Sequence, residues 1–450
     1  MIEFKPVRLE DKQIIERHTM PSGILNCDLA FANMYCWQAM YHSAWAVIDG
    51  FLVIRFHIGG GEKIGYMQPV GEGDFAGIIP ALRADAHAHG QRLRIIGLTD
   101  EGREMIRNMH AGLFAFESDR ALEDYVYNAE DLRNLTGRRY QPKRNHINRF
   151  MSEYPDFRYE NLTRDRFAEC MQLEREWRRA HEGHTSELCA EQRAMQRAFD
   201  HFEELEMLGG CIYVGDKLVA FTFGSAVNDH TFDTHVEKAD TDYDGAFTII
   251  NKLFAEHLPE RFTLINREED LGIDGLRQSK LSYHPAVIQH KFTAIHLHPD
   301  EIACKELWTA AFGDDEQFID SFLIRYYSRS RMLTAEYEGR TSSRPAGPHD
   351  LYLRRGDGSR IPPPGTGRQA DGRSDATDRR SRRRRGAADP QRRVAARILR
   401  RIRILRRDPR NLRFAGRLRL RHRRPVERPC DGLAPRCLGP DARNAAMQLL

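Results

Sequence analysis

Residues 263–285 read TLINREEDLGIDGLRQSKLSYHP, and the rest of the chain is best understood outward from them. The apolar run Phe262-Thr263-Leu264-Ile265 predicts a strand that ends in Asn266-Arg267-Glu268-Glu269-Asp270. Gly272 and Gly275 punctuate a turn, and Leu276, Arg277, Lys280 and Leu281 then read as a short helix. Strand, glycine-bearing turn and helix put polar groups at the carboxyl end of a sheet, where ligands bind in open α/β folds. For any one of these charges a solvated turn is the plainer reading. Five polar residues in succession after an apolar strand favour a site.

Upstream of this stretch lie a hairpin at residues 211–223 turning at Gly215-Asp216, a strand at 231–237 and a helix at 245–257. The first half runs in the same order. A hairpin at residues 44–56 turns at Asp49-Gly50, a strong hairpin dipeptide between apolar runs. A strand at 64–67, a helix at 74–89, a strand at 94–98 and a short helix at 101–110 follow. Asp49 and Gly215 are 166 positions apart, and Ile95 and Ile265 are 170 apart. Two copies of one α/β unit explain both offsets. Helices at 164–179 and 189–208 would open the second copy, with Phe167, Cys170, Leu173 and Trp177 as a core stripe.

The net charge of +4 conceals two kinds of sequence. Residues 341–450 hold 30 Arg, no Lys, nine Asp and one Glu, a net of +20, whereas residues 1–340 carry 39 basic and 55 acidic residues, a net of −16. The eight cysteines form no C-x-x-C pair and read as reduced thiols. The N-terminus lacks the basic and apolar regions of a signal peptide, and no apolar run reaches the roughly 18 residues of a membrane span. A cytoplasmic location is the expectation.

The order of elements is that of the GNAT acyltransferase fold. Four pieces of sequence resemble a branch of it: KRNHINRF at 143–150, HVEKAD at 235–240, NREEDLGIDGLRQSKLSYHP at 266–285, and NCDLAFANMYCW at 26–37. That branch is the C-terminal domain family of phosphatidylglycerol lysyltransferases, which are tandem-GNAT aminoacyltransferases. The resemblance covers residues 1–297. It implies aminoacyl-tRNA as co-substrate and a phospholipid head group or small molecule as acceptor. Full-length lysyltransferases of this type carry a multi-span membrane domain, which this sequence lacks. Coenzyme A fits less well. The loop that would hold its pyrophosphate reads Asp240-Thr241-Asp242-Tyr243-Asp244-Gly245-Ala246, with one glycine and three acids that would repel phosphate. No cofactor and no metal are assigned.

His235 and Glu237 lie two apart on a predicted strand and so share a face, and either could act as general base. A structural role is the other reading of a strand histidine. The basic run at 137–149 is dense for an acidic body and suits phosphate contacts, with a solvated helix face as the alternative. The candidate substrate-binding residues are Lys143, Arg144, Asn145, Asn266, Arg267, Glu269, Arg277, Lys280 and Tyr283. Arg267, Arg277 and Lys280 could hold an anion, or Glu268, Glu269 and Asp270 could neutralise them within the protein.

The expected architecture is α/β, with tandem GNAT-like acyltransferase domains at 1–135 and 136–297. Residues 298–340 resemble the truncated start of a further GNAT acetyltransferase. The Arg-rich tail at 341–450 reads as disordered. Arginine without lysine is what GC-rich DNA gives out of frame, so a frameshift near codon 340 is the preferred origin and a nucleic-acid-binding tail the other. The functional expectation is a soluble aminoacyltransferase. An acyl-CoA-dependent N-acyltransferase and a non-catalytic ligand-binding protein of the same fold stand as alternatives.

Overall fold

Both hairpin turns take the backbone their residues permit. Asp49 and Gly50 have φ of +48° and +86°, which matches the twist of the flanking strands, and Gly215 has φ of +58°. The computed structural model describes residues 2–180, 186–312, 314–327, 332–337 and 340–345. Residues 1–331 group as one unit, and the described residues after them belong to another.

The first half supplies β1 (Lys5–Pro6), β2 (Ala44–Ile48), β3 (Phe51–His57), β4 (Ile64–Met67), β5 (Val70–Gly71), β6 (Arg94–Leu98), β7 (Phe114–Ser118) and β8 (Asp124–Asn128). The second supplies β9 (Arg158–Asn161), β10 (Leu208–Val214), β11 (Lys217–Asn228), β12 (Thr231–Ala239), β13 (Leu264–Asn266), β14 (Val287–Gln289) and β15 (Phe292–His296). One sheet has the order β1-β2-β3-β4-β6-β15-β7, with β5 paired to β3, and the other has the order β14-β8-β13-β12-β11-β10-β9. Each half therefore lends one strand to the other's sheet, β8 in one direction and β15 in the other.

The repeat is visible in register. β4 pairs with β6 in parallel, Tyr66 opposite Ile95 and Met67 opposite Ile96. β12 pairs with β13 in parallel, Phe232 opposite Ile265 and Asp233 opposite Asn266. These pairs are offset by the same 166 and 170 positions that the sequence shows. The remaining pairs in each sheet are antiparallel. This is the tandem GNAT-like α/β architecture.

The halves are fused by a shared core. Leu29, Phe31, Trp45 and Leu52 from the first join Cys170, Phe199, Phe221 and Phe223 from the second in one buried cluster. Phe167 and Phe199 stack within it, ring centroids 4.4 Å apart. Side chains of this size contribute about 1.5–3 kcal/mol each on full burial.

Helices Pro299–Phe312 and Glu316–Arg325 dock on β7. Lys305 Nζ donates to the Phe114 carbonyl (2.9 Å), and the Phe116 amide donates to Asp320 (2.9 Å). Beyond them β16 (Met332–Tyr337) and β17 (Arg340–Pro345) form an antiparallel hairpin. Within the segment expected to be disordered, the backbone of 341–345 pairs with β16. The rest of that segment, 346–450, lies outside the described residues.

Candidate functional site

The five polar residues that end β13 and follow it, Asn266 to Asp270, fan out to five different sets of partners. Asn266 Nδ2 donates to the Leu25 carbonyl (2.7 Å) and to Asp124 Oδ2 (3.0 Å). Arg267 Nη2 donates to Glu237 Oε1 (2.9 Å). Glu268 reaches His235, and Glu269 reaches Lys291 at 2.6 Å. Asp270 takes a bidentate pair from Arg277 (2.7 and 2.8 Å) and the Tyr125 hydroxyl (2.6 Å). A strand could not spread adjacent side chains this way. Glu268 has φ of +54°, a left-handed conformation that costs a non-glycine residue on the order of 1 kcal/mol. The Asn266 side chain holds it there by accepting from the Glu268 amide (2.7 Å). Lys280 clamps the same loop, donating to the carbonyls of Arg267 and Glu269.

Two chemically opposite regions result. The first is acidic. Asp124, Asp233, Glu268, Glu269 and Asp28 converge around Lys291 and His235. Asp124 and Asp233 are fully buried. Lys291 Nζ contacts Asp124 (2.6 Å), Glu269 (2.6 Å) and Asp28 (3.2 Å). His235 Nδ1 faces Asp233 Oδ2 at 3.2 Å and Glu268 Oε1 at 3.4 Å, and its Nε2 is 2.8 Å from Ser225 Oγ. Asn33 Nδ2 donates to Asp233 and Glu268, each at 3.3 Å. The Cys27 amide donates to Asp124 (2.9 Å), and its thiol lies beside Lys291 (3.4 Å).

Five carboxylates against two cations leave an excess of negative charge in a low-dielectric place. Burial, reinforced by Asp233, pushes Glu268 up to about 7. Burial lifts Asp124 to about 7 even with Lys291 in contact. Burial alone would lower His235, but the Asp233 and Glu268 carboxylates outweigh it and push it up to about 9. Burial also opposes the charge on Lys291, and Asp124 and its other acidic neighbours hold the proton there more firmly than usual.

The second region is cationic and aromatic. Arg267 lies 5.0 Å from the Tyr283 ring, and Lys143 Nζ sits 3.7 Å over that ring. Glu237 is held by Arg267 and by Asn251 (3.2 Å). Burial and the nearby Arg267 lower Lys143 to about 8. Lys280, for the same two reasons, also falls to about 8.

His235 and Glu237 do not share partners, although two residues apart. The register of β11 on β12 steps from Phe223–Val236 to Gly224–Thr234, leaving His235 as the extra residue of a bulge. A bulge breaks the two-residue alternation and re-aims the side chain beside it. His235 joins the acidic region and Glu237 the cationic one.

Among the substrate-binding candidates, Asn266 and Glu269 stand in the acidic region, and Lys143, Arg267 and Tyr283 in the cationic one. Arg277 is spent on Asp270, and Lys280 on loop carbonyls. Arg144 and Asn145 lie apart from both. Arg144 donates to the Leu135 and Gly137 carbonyls and to Gln141, and Asn145 accepts from Gln141 on the same exposed helix face. In the loop weighed for coenzyme A, Asp240 pairs with Lys217 (2.7 Å) and Asp244 with Arg149 (2.6 Å). A Cβ at Gly245 would lie 2.9 Å from the His146 carbonyl, so this glycine allows helix approach.

Sequence reasoning missed Asp124, Lys291, Cys27, Asn33, Asp233 and Ser225 as site residues. The fragment at 26–37 held a signal, because Cys27, Asp28 and Asn33 all lie in it. Asp233 could have been found two positions before His235. Asp124 and Lys291 carry no local signal.

The comparisons agree with this architecture. The model of the family described as phosphatidylglycerol lysyltransferase, C-terminal, matches residues 22–295, more than half of the chain. A conserved protein of unknown function from Bacteroides thetaiotaomicron is 44% identical, with a TM-score of 0.64, covering 66% of this chain and 100% of that one. L-PGS from Bacillus licheniformis is 13% identical with a TM-score of 0.48, covering 66% of this chain and 96% of that one. An uncharacterized protein of Mycoplasmoides gallisepticum is 25% identical over 181 residues, 38% of this chain and 54% of that protein, so the chain spans about half the length of this curated relative. Among the described residues no helix is long and apolar enough to cross a membrane. The chain belongs to the phosphatidylglycerol lysyltransferase C-terminal family.

Proposed function

We propose that this protein transfers an aminoacyl group from aminoacyl-tRNA to a hydroxyl or amine of a phospholipid head group or small acceptor. The observation that carries this reading is the excess negative charge around His235. An aminoacyl ester differs from other acyl donors in bearing an ammonium group beside the reacting carbonyl. Asp233 and Glu268, one carboxylate fully buried and one partly open, suit that ammonium. The same carboxylates would repel the phosphates of an acyl-CoA, and in the 240–246 loop Asp240 and Asp244 are already paired with local bases. No cofactor is called for, since the ester supplies the activated acyl group. An ammonium at Asp233 and Glu268 would also offset the charge that keeps His235 protonated. The imidazole would then be free to take a proton from the acceptor.

The test has a binding arm and a turnover arm. Methyl esters of amino acids should bind in calorimetry, and their N-acetyl counterparts, which lack the ammonium, should not. A panel of radiolabelled aminoacyl-tRNAs, with anionic phospholipid vesicles or amine acceptors, should reveal discharge into one acceptor class. Turnover of acetyl-CoA without discharge of any aminoacyl-tRNA would overturn the reading in favour of an N-acyltransferase.

A further inference from the structure

A cavity of about 570 Å³ opens beside the acidic region, and Ser225 stands in its wall. Met20, Phe202, Phe232 and Phe262 give it an apolar lining, and Arg164 and Arg261 also border it. Its volume falls within the usual range for small-ligand sites. Ser225 is buried and faces Asp233 across the β11–β12 ladder as a register pair. Directly opposed residues project on the same face of a sheet. The bulge brings His235 into the space between them. Ser225 Oγ is 2.8 Å from His235 Nε2, and His235 Nδ1 is 3.2 Å from Asp233 Oδ2. Hydroxyl, imidazole and carboxylate thus follow one another, on a serine that borders the cavity and an aspartate that is fully buried.

We propose that Ser225 is a nucleophile, activated by His235 and oriented through Asp233, that holds the acyl group as a serine ester between donor and acceptor. A hydroxyl within hydrogen-bond reach of a base, itself oriented by a third group, is the geometry of an activated nucleophile. In the first half-reaction Ser225 Oγ bonds to the acyl carbon and the donor's ester C–O bond breaks. The Oγ proton passes to His235 Nε2 and from there to the departing alcohol oxygen. In the second, the acceptor's oxygen or nitrogen bonds to the same carbon. The Oγ–C bond breaks, and the acceptor's proton returns through His235 to Oγ. Nothing is oxidised or reduced. The proposal rests on reading this region as an acyl-transfer site.

The groups facing His235 set its pH range. Asp233 lies on its own strand, Glu268 on the loop after β13, and the Cys27 thiol close to both of those carboxylates; Asn33 and Ser225 are neutral. The two carboxylates keep the ring protonated in the absence of substrate, so the serine gains its base as pH rises towards about 9.

The full chain is treated with a fluorophosphonate probe and, separately, with p-nitrophenyl acetate from pH 7 to 9.5. The expected result is one covalent equivalent on the peptide bearing Ser225 and a matching p-nitrophenol burst, both faster with rising pH. Ser225→Ala and His235→Ala should each slow labelling by at least ~100-fold. Wild-type protein with no adduct on Ser225 at any pH overturns the proposal, and that result requires no variant to fold. Ser225→Ala that still discharges aminoacyl-tRNA at the wild-type rate also overturns the serine ester, while leaving aminoacyl transfer standing. Labelled Ser225 in a protein that discharges no aminoacyl-tRNA supports the nucleophile and removes the aminoacyl reading instead.

Discussion

The two halves place the same junction, a parallel strand pair leading into a helix, at equivalent points and fill it with opposite chemistry. In the first half Met67 and Ile96 are register partners on β4 and β6. Just beyond them the Thr99 amide donates to Gln68 Oε1 (2.8 Å), and Thr99 Oγ1 accepts from Gly102 to cap helix Asp100–Met109. In the second half the equivalent partners are Asp233 and Asn266, followed by a left-handed glutamate and a ring of charges. The first junction is an ordinary helix cap. The second is strained, charged and buried, and strain of that kind persists only where surrounding structure holds it. The first half instead serves the second, lending Cys27, Asp28, Asn33 and Asp124 to its site.

The comparison is broken most directly by altering charge at matching positions. Asp233→Asn and Glu268→Gln should each lower aminoacyl transfer by ~100-fold or more, the scale of removing an electrostatic contact at a reacting centre. Met67→Leu, at the equivalent of Asp233, should leave transfer within about twofold. The same radiolabelled discharge assay measures all three. Equal losses in the two halves would mean that the first junction carries chemistry as well.

The next effect concerns stability. Lys291, on the loop just before the exchanged strand β15, neutralises Asp124 on the exchanged strand β8 and Glu269. Removing one partner from a buried pair typically costs about 3–5 kcal/mol, because the other charge is left unpaired. Lys291→Met should therefore lower the unfolding free energy read from a urea titration by an amount in that range. Asp124→Asn in the same background should recover part of it. A Lys291→Met protein as stable as wild type would mean that water already solvates these carboxylates.

Much of this was legible in sequence and some could not be. The repeat, the hairpins and the central strand–turn–helix follow from apolar periodicity and turn residues, which act over a few positions. Arg267 and Glu269 stood out because charge at the end of an apolar strand is conspicuous, and His235 and Glu237 because residues two apart on a predicted strand share a face. That His235 and Glu237 part company depends on a bulge, which is a property of two strands together. Asp124 and Lys291 are 167 positions apart and meet only because β8 and β15 change sheets, and no local pattern reports that exchange. Arg144 illustrates the converse: it stands in a basic run and yet is used by its own loop.

A smaller effect is expected in the pH dependence of stability. Glu268 and Asp124 have folded-state pKa values raised to about 7, above the ordinary carboxylate range of the unfolded chain. Between about pH 4 and 7 the folded state binds more protons than the unfolded one at these two groups. Their contribution to stability is therefore full below about pH 4 and is lost as pH rises through about 7. Glu269 and Asp270 oppose this, since Lys291 and Arg277 hold them below their ordinary values despite burial. Glu268→Gln should make the unfolding free energy rise more, or fall less, across pH 4–7 than in wild type. The readout is a urea series at each pH, and an unchanged slope would mean that Glu268 is ionised in the folded protein throughout.

The smallest effect separates the two faces of the basic helix Gln141–Glu153. Lys143 turns inward over Tyr283, and Arg144 turns back to the Leu135 and Gly137 carbonyls at the loop that precedes the helix. If aminoacyl-tRNA or an anionic head group is held by the cationic region, Lys143→Ala should weaken binding and flatten its salt dependence by roughly one unit of slope for each phosphate the protein no longer neutralises. Arg144→Ala should leave the salt slope unchanged, because its donors are taken by backbone carbonyls and by Gln141. Its cost should be confined to stability, about 0.5–1 kcal/mol for hydrogen bonds that are partly exposed. Binding of RNA and of anionic vesicles across a salt series, with melting curves for both variants, checks the pair. If Arg144→Ala flattens the slope and Lys143→Ala does not, the ligand runs along the outer face of this helix, and the inward cluster of Arg267, Lys143 and Tyr283 is a structural knot around Glu237.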